Sequence, residues 1–219
     1  MIKNFSAKLI LIFSLTIFFA GCGNSDSPEK SLSEIQTALE QRNFEKLSER
    51  VDAEKFFSQT YDDMTIELAK NYEAYQKKYP EDPYFQHSAD FLKDYNFTHK
   101  DLHLNFLEGV KNAYFEKLPE PATPEENPYA YVANEFEKIR QASTAVVKEI
   151  EIDGDKAVMT VEMQGDSSIR GQFIGTLNFK ISFDKDKNNN WRLNKIENLD
   201  ELTPPLVDKA EIVWITFFQ

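Results

Sequence analysis

The stretch AVVKEIEIDGDKAVMTVEM, residues 145–163, decides the fold. Asp153-Gly154 separates two runs rich in strand-forming residues. Asp-Gly between such runs is the strongest short-range signal of a β-hairpin, because the tight turn demands a positive φ that Gly adopts without steric cost. Beyond the turn, Ala157, Met159, Val161 and Met163 recur at every second position and so share one face of a strand. A strand with one apolar face needs a second layer to cover it.

Towards the C-terminus, the odd positions from Ile169 to Phe183 read Ile, Gly, Phe, Gly, Leu, Phe, Ile, Phe. Arg170, Gln172, Thr176, Asn178, Lys180 and Ser182 alternate with them. The pattern predicts one long, half-buried antiparallel strand over 169–183, with Ile174 out of phase and Gly175 marking a bulge or bend. The polar run 184–190 predicts a turn, and Trp191, Leu193 and Ile196 a fourth strand. Residues 203–219 fit both a helix starting at Thr203-Pro204 and a strand around 212–216.

Towards the N-terminus the period changes from two to three or four. Ser31 and Glu34 have capping-box spacing for a first helix with Leu32, Ile35 and Leu39 inward. Asn43 caps a second helix carrying Phe44, Leu47 and Val51. Asp52 caps a third, in which Phe57, Tyr61, Met64, Leu68, Tyr72, Tyr75 and Tyr79 form a stripe that Pro80 ends. Ser88 caps a short helix with Phe91, Leu92 and Tyr95. Thr98 and Asp101 open another, with Leu102, Phe106, Val110 and Ala113 inward. Pro119, Pro121, Pro124 and Pro128 mark an exposed loop, and Asn127-Pro128 starts a helix with Val132, Phe136 and Ile139. Helices followed by antiparallel strands define the α+β class. Each layer has one apolar face that the other covers, so residues 31–219 are expected to form one domain.

The first residues read differently. Lys3 and Lys8 precede residues 9–20, which carry no charge. That run has the length of a signal-peptide core and falls short of the roughly 20 residues that a membrane-spanning helix needs. It ends in Phe19-Ala20-Gly21-Cys22, which resembles the lipobox of bacterial lipoproteins. The expectation is a signal peptide over 1–21, acylation (palmitate or a similar chain) on Cys22, and a tether over 22–30. Cys22 is the only cysteine, so no disulfide forms within the chain. The expected location is the cell envelope, lipid-anchored and outside the cytoplasm, on the outer membrane where one exists. The net charge is −12, and loss of the leader with its two lysines takes it to −14. Such acidity, with no basic stripe, argues against nucleic acid as a partner.

Two segments carry a family resemblance. Residues 38–44, ALEQRNF, followed by Val51-Asp52, are similar to the opening of uncharacterised bacterial NTF2-like (cystatin-related) envelope proteins. Trp191-Arg192-Leu193-Asn194-Lys195-Ile196 is similar to their closing strand. The resemblance implies a cone of curved antiparallel sheet with helices packed in its concave face, here with a helical and Pro-rich insertion around 81–128. The family shares no activity, so it implies no catalytic residue.

Candidate chemistry is sparse. His99 and His103 share a helix face, but that face supplies no third ligand, so no metal is expected. Asp62-Asp63 and Glu125-Glu126 are neighbours that diverge on a helix and make no carboxylate dyad. Residues 184–190 lack the central Gly and closing Glu of a calcium loop. No nucleophile elbow, P-loop or dinucleotide fingerprint occurs. Two functional readings follow. One is a non-catalytic lipoprotein, without a cofactor, binding an envelope protein or an apolar small ligand. Its pocket would draw on Tyr61, Leu68, Tyr72, Phe173, Leu177, Phe179 and Trp191, and a homodimer would form through the sheet. The alternative is a small enzyme doing proton-transfer chemistry in the cone with Asp52, Tyr72 and His103.

Overall fold

The computed structural model describes residues 26–121 and 123–218, with side chains as far as Ala210. The expected leader and Cys22 lie outside the described residues. Helix α1 spans Pro28–Glu40, and its cap is Ser27, whose hydroxyl accepts from Lys30 N at 3.2 Å. The helix therefore begins inside the stretch expected as tether, because Ser27-Pro28 pairs a cap with the one residue whose φ is already helical. Ser31, expected to be the cap, lies a turn inside and fully buried. Its hydroxyl donates to the carbonyl of Trp191 at 2.8 Å. Glu34, its expected capping partner, binds Arg50 instead.

Helices α2 (Phe44–Arg50) and α3 (Ala53–Lys70) start where read, with Asn43 and Asp52 as caps. The long third helix is divided. Asn71 ends α3 with its side chain donating to Glu67 O at 3.0 Å, and α4 spans Tyr72–Lys78. Asn offers the backbone this local alternative to helical continuation. A 3-10 turn over Pro83–Phe85 leads to α5 (Ala89–Thr98) and, through His99 alone, to α6 (Lys100–Phe115). The inward face of α6 differs from the expected one. Leu102 is exposed and Phe106 and Val110 are half-buried, while Ala113 is buried as expected, together with His103, Leu107 and Tyr114. A one-residue joint leaves the rotation of α6 to its packing on α3 and on α7 (Pro128–Gln141). Residues 81–128 contribute Phe85, Leu92, Leu107 and Tyr114 to the buried interior.

Four antiparallel strands follow in the order β1 (Ser143–Asp153), β2 (Lys156–Gly165), β3 (Thr176–Lys185) and β4 (Trp191–Ile196). β1 and β4 are the edges and do not pair, so the sheet is open. Gly154 takes φ 60° in the β1–β2 turn. Ala157, Met159, Val161 and Met163 are buried with Leu177, Phe179, Ile181 and Phe183 of β3. The register slips at Lys148 in β1 and at Asn194 in β4. A bulge re-aims the residues after it. This explains how Leu193 and Ile196, three apart, both face the core. Val51 forms a parallel bridge to Leu193, tying the α2–α3 junction to the edge of β4.

The long strand expected over 169–183 is not one strand. Ile169–Ile174 forms a short helix, α8, capped by the Ser168 hydroxyl accepting from Gly171 N at 3.0 Å. Two of the first four apolar-face positions were glycines, which add nothing to a buried face. Ile169 is 80 % exposed, and Ile174, the residue out of phase, is 2 % exposed. Gly175 ends α8 at φ 60°, ψ −129°, a conformation almost closed to side chains. Gly175→Ala should destabilise the domain by about 1–3 kcal/mol, read as a lower urea midpoint; an unchanged midpoint would show that this turn carries no strain.

The ambiguous C-terminal stretch is helical. α9 spans Leu199–Phe218, starting earlier than Thr203, with Pro204 and Pro205 inside it. The carbonyls that these prolines leave unpaired belong to Asp200 and Glu201, which are exposed to water. α9 packs on α3, and Asp208 pairs with Lys78 of α4 at 2.6 Å.

Candidate functional site

A cavity of about 120 Å³ lies between the helices and the buried face of the sheet. Ile35 and Leu39 of α1, Leu47 and Val51 at the α2–α3 junction, and Phe56 of α3 form one wall. Val161, Phe179, Ile181, Leu193 and Ile196 form the floor, and Val110, Phe115, Ala133 and Phe136 of α6 and α7 the other wall. The sheet supplies a floor because residues two apart point the same way. The helices supply walls because their stripes recur every turn.

Lys111 and Tyr114 bring the only polar side-chain groups to this lining. The Tyr114 hydroxyl is 2.9 Å from Leu39 O and 3.0 Å from the Glu137 carboxylate. Burial, then the charge of Glu137, pushes this phenol well above its usual range, so it stays protonated. Lys111 runs its stem along the cavity. Its ammonium is 2.6 Å from Glu108 and 4.5 Å from the centroid of the Phe44 ring. Outside lies an open groove of about 750 Å³ that shares Val51, Ala53 and Lys111 with the cavity and is also lined by Asp52, Glu54, Asp101, Glu108 and Arg192.

Of the seven pocket residues read from the sequence, Phe179 lines this cavity. Leu68, Tyr72 and Leu177 are buried elsewhere in the core, and Phe173 is half-buried on α8. Trp191 is buried beneath α1, with Lys185 over its ring at 5.0 Å. Tyr61 packs against Leu107 in a second cluster. Asp52 and Tyr72 flank the 18-residue helix α3 at opposite ends, roughly 27 Å apart at about 1.5 Å per residue. Asp52 caps α3, the Tyr72 hydroxyl accepts from His87 N at 2.6 Å, and His103 faces Tyr61. The three groups of the enzyme reading therefore have separate partners and do not form one constellation.

Tyr61, Asn96 and His103 form a buried polar network. The Tyr61 hydroxyl is 2.9 Å from Asn96 O and 2.8 Å from His103 Nδ1. Asn96 Nδ2 donates to Tyr84 at 3.0 Å. His99 Nδ1 lies 2.8 Å from Tyr95 O. Among the described residues no group of three or more His, Cys, Asp or Glu side chains is placed to hold a metal ion. Desolvation, then the neighbouring His99, lowers His103 to about 4, whereas an unfolded chain protonates His near 6.5. Between those values the unfolded state binds the extra proton. Stability from this group is therefore complete above pH ~6.5 and is lost as pH falls towards about 4, by about 2–3 kcal/mol. Urea midpoints from pH 7 to 4 should fall more steeply in the native protein than in His103→Gln; parallel slopes would contradict a neutral, buried His103.

Comparisons with protein-family models, with curated proteins and with solved structures find no match.

Proposed function

We propose that this chain is a non-catalytic binding lipoprotein, anchored through acylated Cys22, that holds an apolar small ligand, or an apolar group of an envelope partner, in the cavity between its helices and sheet. The carrying observation is that cavity: a partly open apolar space whose lining has two polar side chains. Apolar cavities of comparable size, about 150 Å³, stay dry and accept small hydrocarbons. Helices covering one face of an open sheet suit the NTF2-like cone, and that fold is part of the same proposal. The edge strand β1 exposes Val146 and Ile152, the surface through which a sheet-to-sheet dimer would form.

On this reading the tether is short. The Asp26 carboxylate accepts from Arg50 Nη2 and from Trp191 N, each at 2.8 Å. Only residues 23–25 then separate the acylated cysteine from a fixed point of the body, a reach of about 14 Å at ~3.4 Å per residue. None of the described helices is long and apolar enough to cross a membrane. Attachment would therefore rest on the lipid, and the acidic body would be repelled by anionic headgroups.

Cys22→Ser should abolish fatty-acid labelling and release the protein from membranes. Labelling that persists in the variant would end the lipoprotein reading. Native mass spectrometry of the protein purified from its own envelope should show a bound apolar molecule. A mass equal to the acylated chain alone, with no uptake of added hexanol, would end the ligand reading.

A further inference from the structure

Resting on that cavity reading, we infer that the ligand is a cationic amphiphile, its aliphatic part in the cavity and its ammonium at the mouth between Phe44 and Glu108. Lys111 already holds this place from within the chain. Its methylene stem lines the cavity, and its ammonium lies 4.5 Å from the Phe44 ring centroid and 2.6 Å from Glu108. An aromatic face beside a carboxylate is the arrangement that attracts alkylammonium and quaternary ammonium groups. Phe44 is 38 % exposed, so its ring is reachable from the groove. Its inner edge meets Phe115, a cavity wall, with ring centroids 5.3 Å apart. The aromatic surface thus runs without a break from the charged mouth to the apolar interior.

The field at the mouth has the matching sign. The groove brings four carboxylates, on Asp52, Glu54, Asp101 and Glu108, against two cations. Of those cations Lys111 is paired with Glu108, and Arg192 donates to Ser48 O at 2.9 Å. A fatty-acid carboxylate would have to enter this field and take Lys111 from Glu108. An ammonium ligand needs only to displace Lys111, whose flexible stem lets its own ammonium swing out among the remaining carboxylates. Lys111 is on this account an internal competitor, and its removal should strengthen binding.

The test uses three water-soluble probes of equal chain length: hexyltrimethylammonium, hexanol and hexanoate. Each is equilibrated with the full-length chain held in a non-ionic amphipol free of choline lipid, with empty amphipol particles as blanks. The cation is expected to bind tightest and hexanoate weakest. Lys111→Met should raise affinity for the cation about tenfold, and Glu108→Gln should lower it about tenfold, as expected for a charge-assisted contact. Hexanol affinity, unchanged in Glu108→Gln, whose side chain lies in the outer groove and not in the cavity lining, reports an intact cavity. If hexanoate binds tightest and Lys111→Met weakens it, the inference is overturned while the cavity reading stands. If hexanol binds and the cation is not preferred, the inference falls in the same way. If none of the three probes binds, the cavity reading falls with it.

Discussion

Trp191→Ala should lower the free energy of unfolding by about 3–5 kcal/mol. The indole is 4 % exposed at the first position of β4, below α1. Removing it takes away the transfer energy of a large aromatic group and leaves a void that the surroundings fill only in part. The site has little freedom to collapse, because three groups from distant segments fix its backbone. The Trp191 carbonyl accepts from Ser31 Oγ at 2.8 Å and Arg50 Nη1 at 3.3 Å, and its N–H donates to Asp26. Trp191→Phe should recover much of the loss by refilling the space. Denaturation in urea measures both. A loss below about 1 kcal/mol in the alanine variant would mean that the indole is not a filled core position.

Arg50→Ala should cost about 3 kcal/mol, and should also free the start of the chain. The guanidinium is buried and joins three partners. Nε donates to Glu34 at 2.5 Å, Nη2 to Asp26 at 2.8 Å and Nη1 to the Trp191 carbonyl. Burial opposes its charge, and the hydrogen bonds it donates to Glu34 and Asp26, with their charges, more than offset that penalty. Losing one partner of a buried ion pair costs 3–5 kcal/mol because the other charge stays desolvated. Here the lower figure applies, since the Glu34 side chain is 40 % exposed and regains water. Arg50→Lys should rescue little, because a single ammonium cannot bond two carboxylates and a carbonyl in one plane. Urea denaturation gives the energy, and proteolysis before Pro28 gives the release. A variant as stable and as protease-resistant as the native chain would refute the role of Arg50 in holding Asp26 to the body.

The candidate site was barely legible in the amino-acid pattern. Phe179 was foreseen as a pocket residue, because strand alternation places it on the buried face. Lys111 was not, although a lysine between Val110 and Tyr114 on an apolar helical stripe is the kind of residue whose stem packs while its ammonium stays wet. Residues such as Ile35 and Phe179 line one cavity from positions more than a hundred apart in the chain. Periodicity states which residue is buried, not which other buried residue it touches.

The chain by itself determined the local devices. Asn43, Asp52, Ser88 and Asn127 cap helices, and a two-residue turn joins β1 to β2 at Gly154-Asp155, one residue on from the expected Asp153-Gly154 because Asp153 still pairs with Lys156. Each device acts within three or four residues, yet the same spacing at Ser31-Glu34 and Thr98-Asp101 makes no cap, because Trp191 and Arg50 bind the first pair and Thr98 ends α5. It also set the α+β class and the buried face of β2, where four successive alternations agree. Tertiary structure decided the rest. It turned residues 169–174 into a helix, rotated α6 so that Leu102 faces water and His103 faces Tyr61, and made the last segment helical by packing α9 on α3. In each case the local pattern allowed two conformations or two faces of similar energy. Contacts with segments far away in the chain, such as Tyr61 with His103 and α9 with α3, accompany the choice.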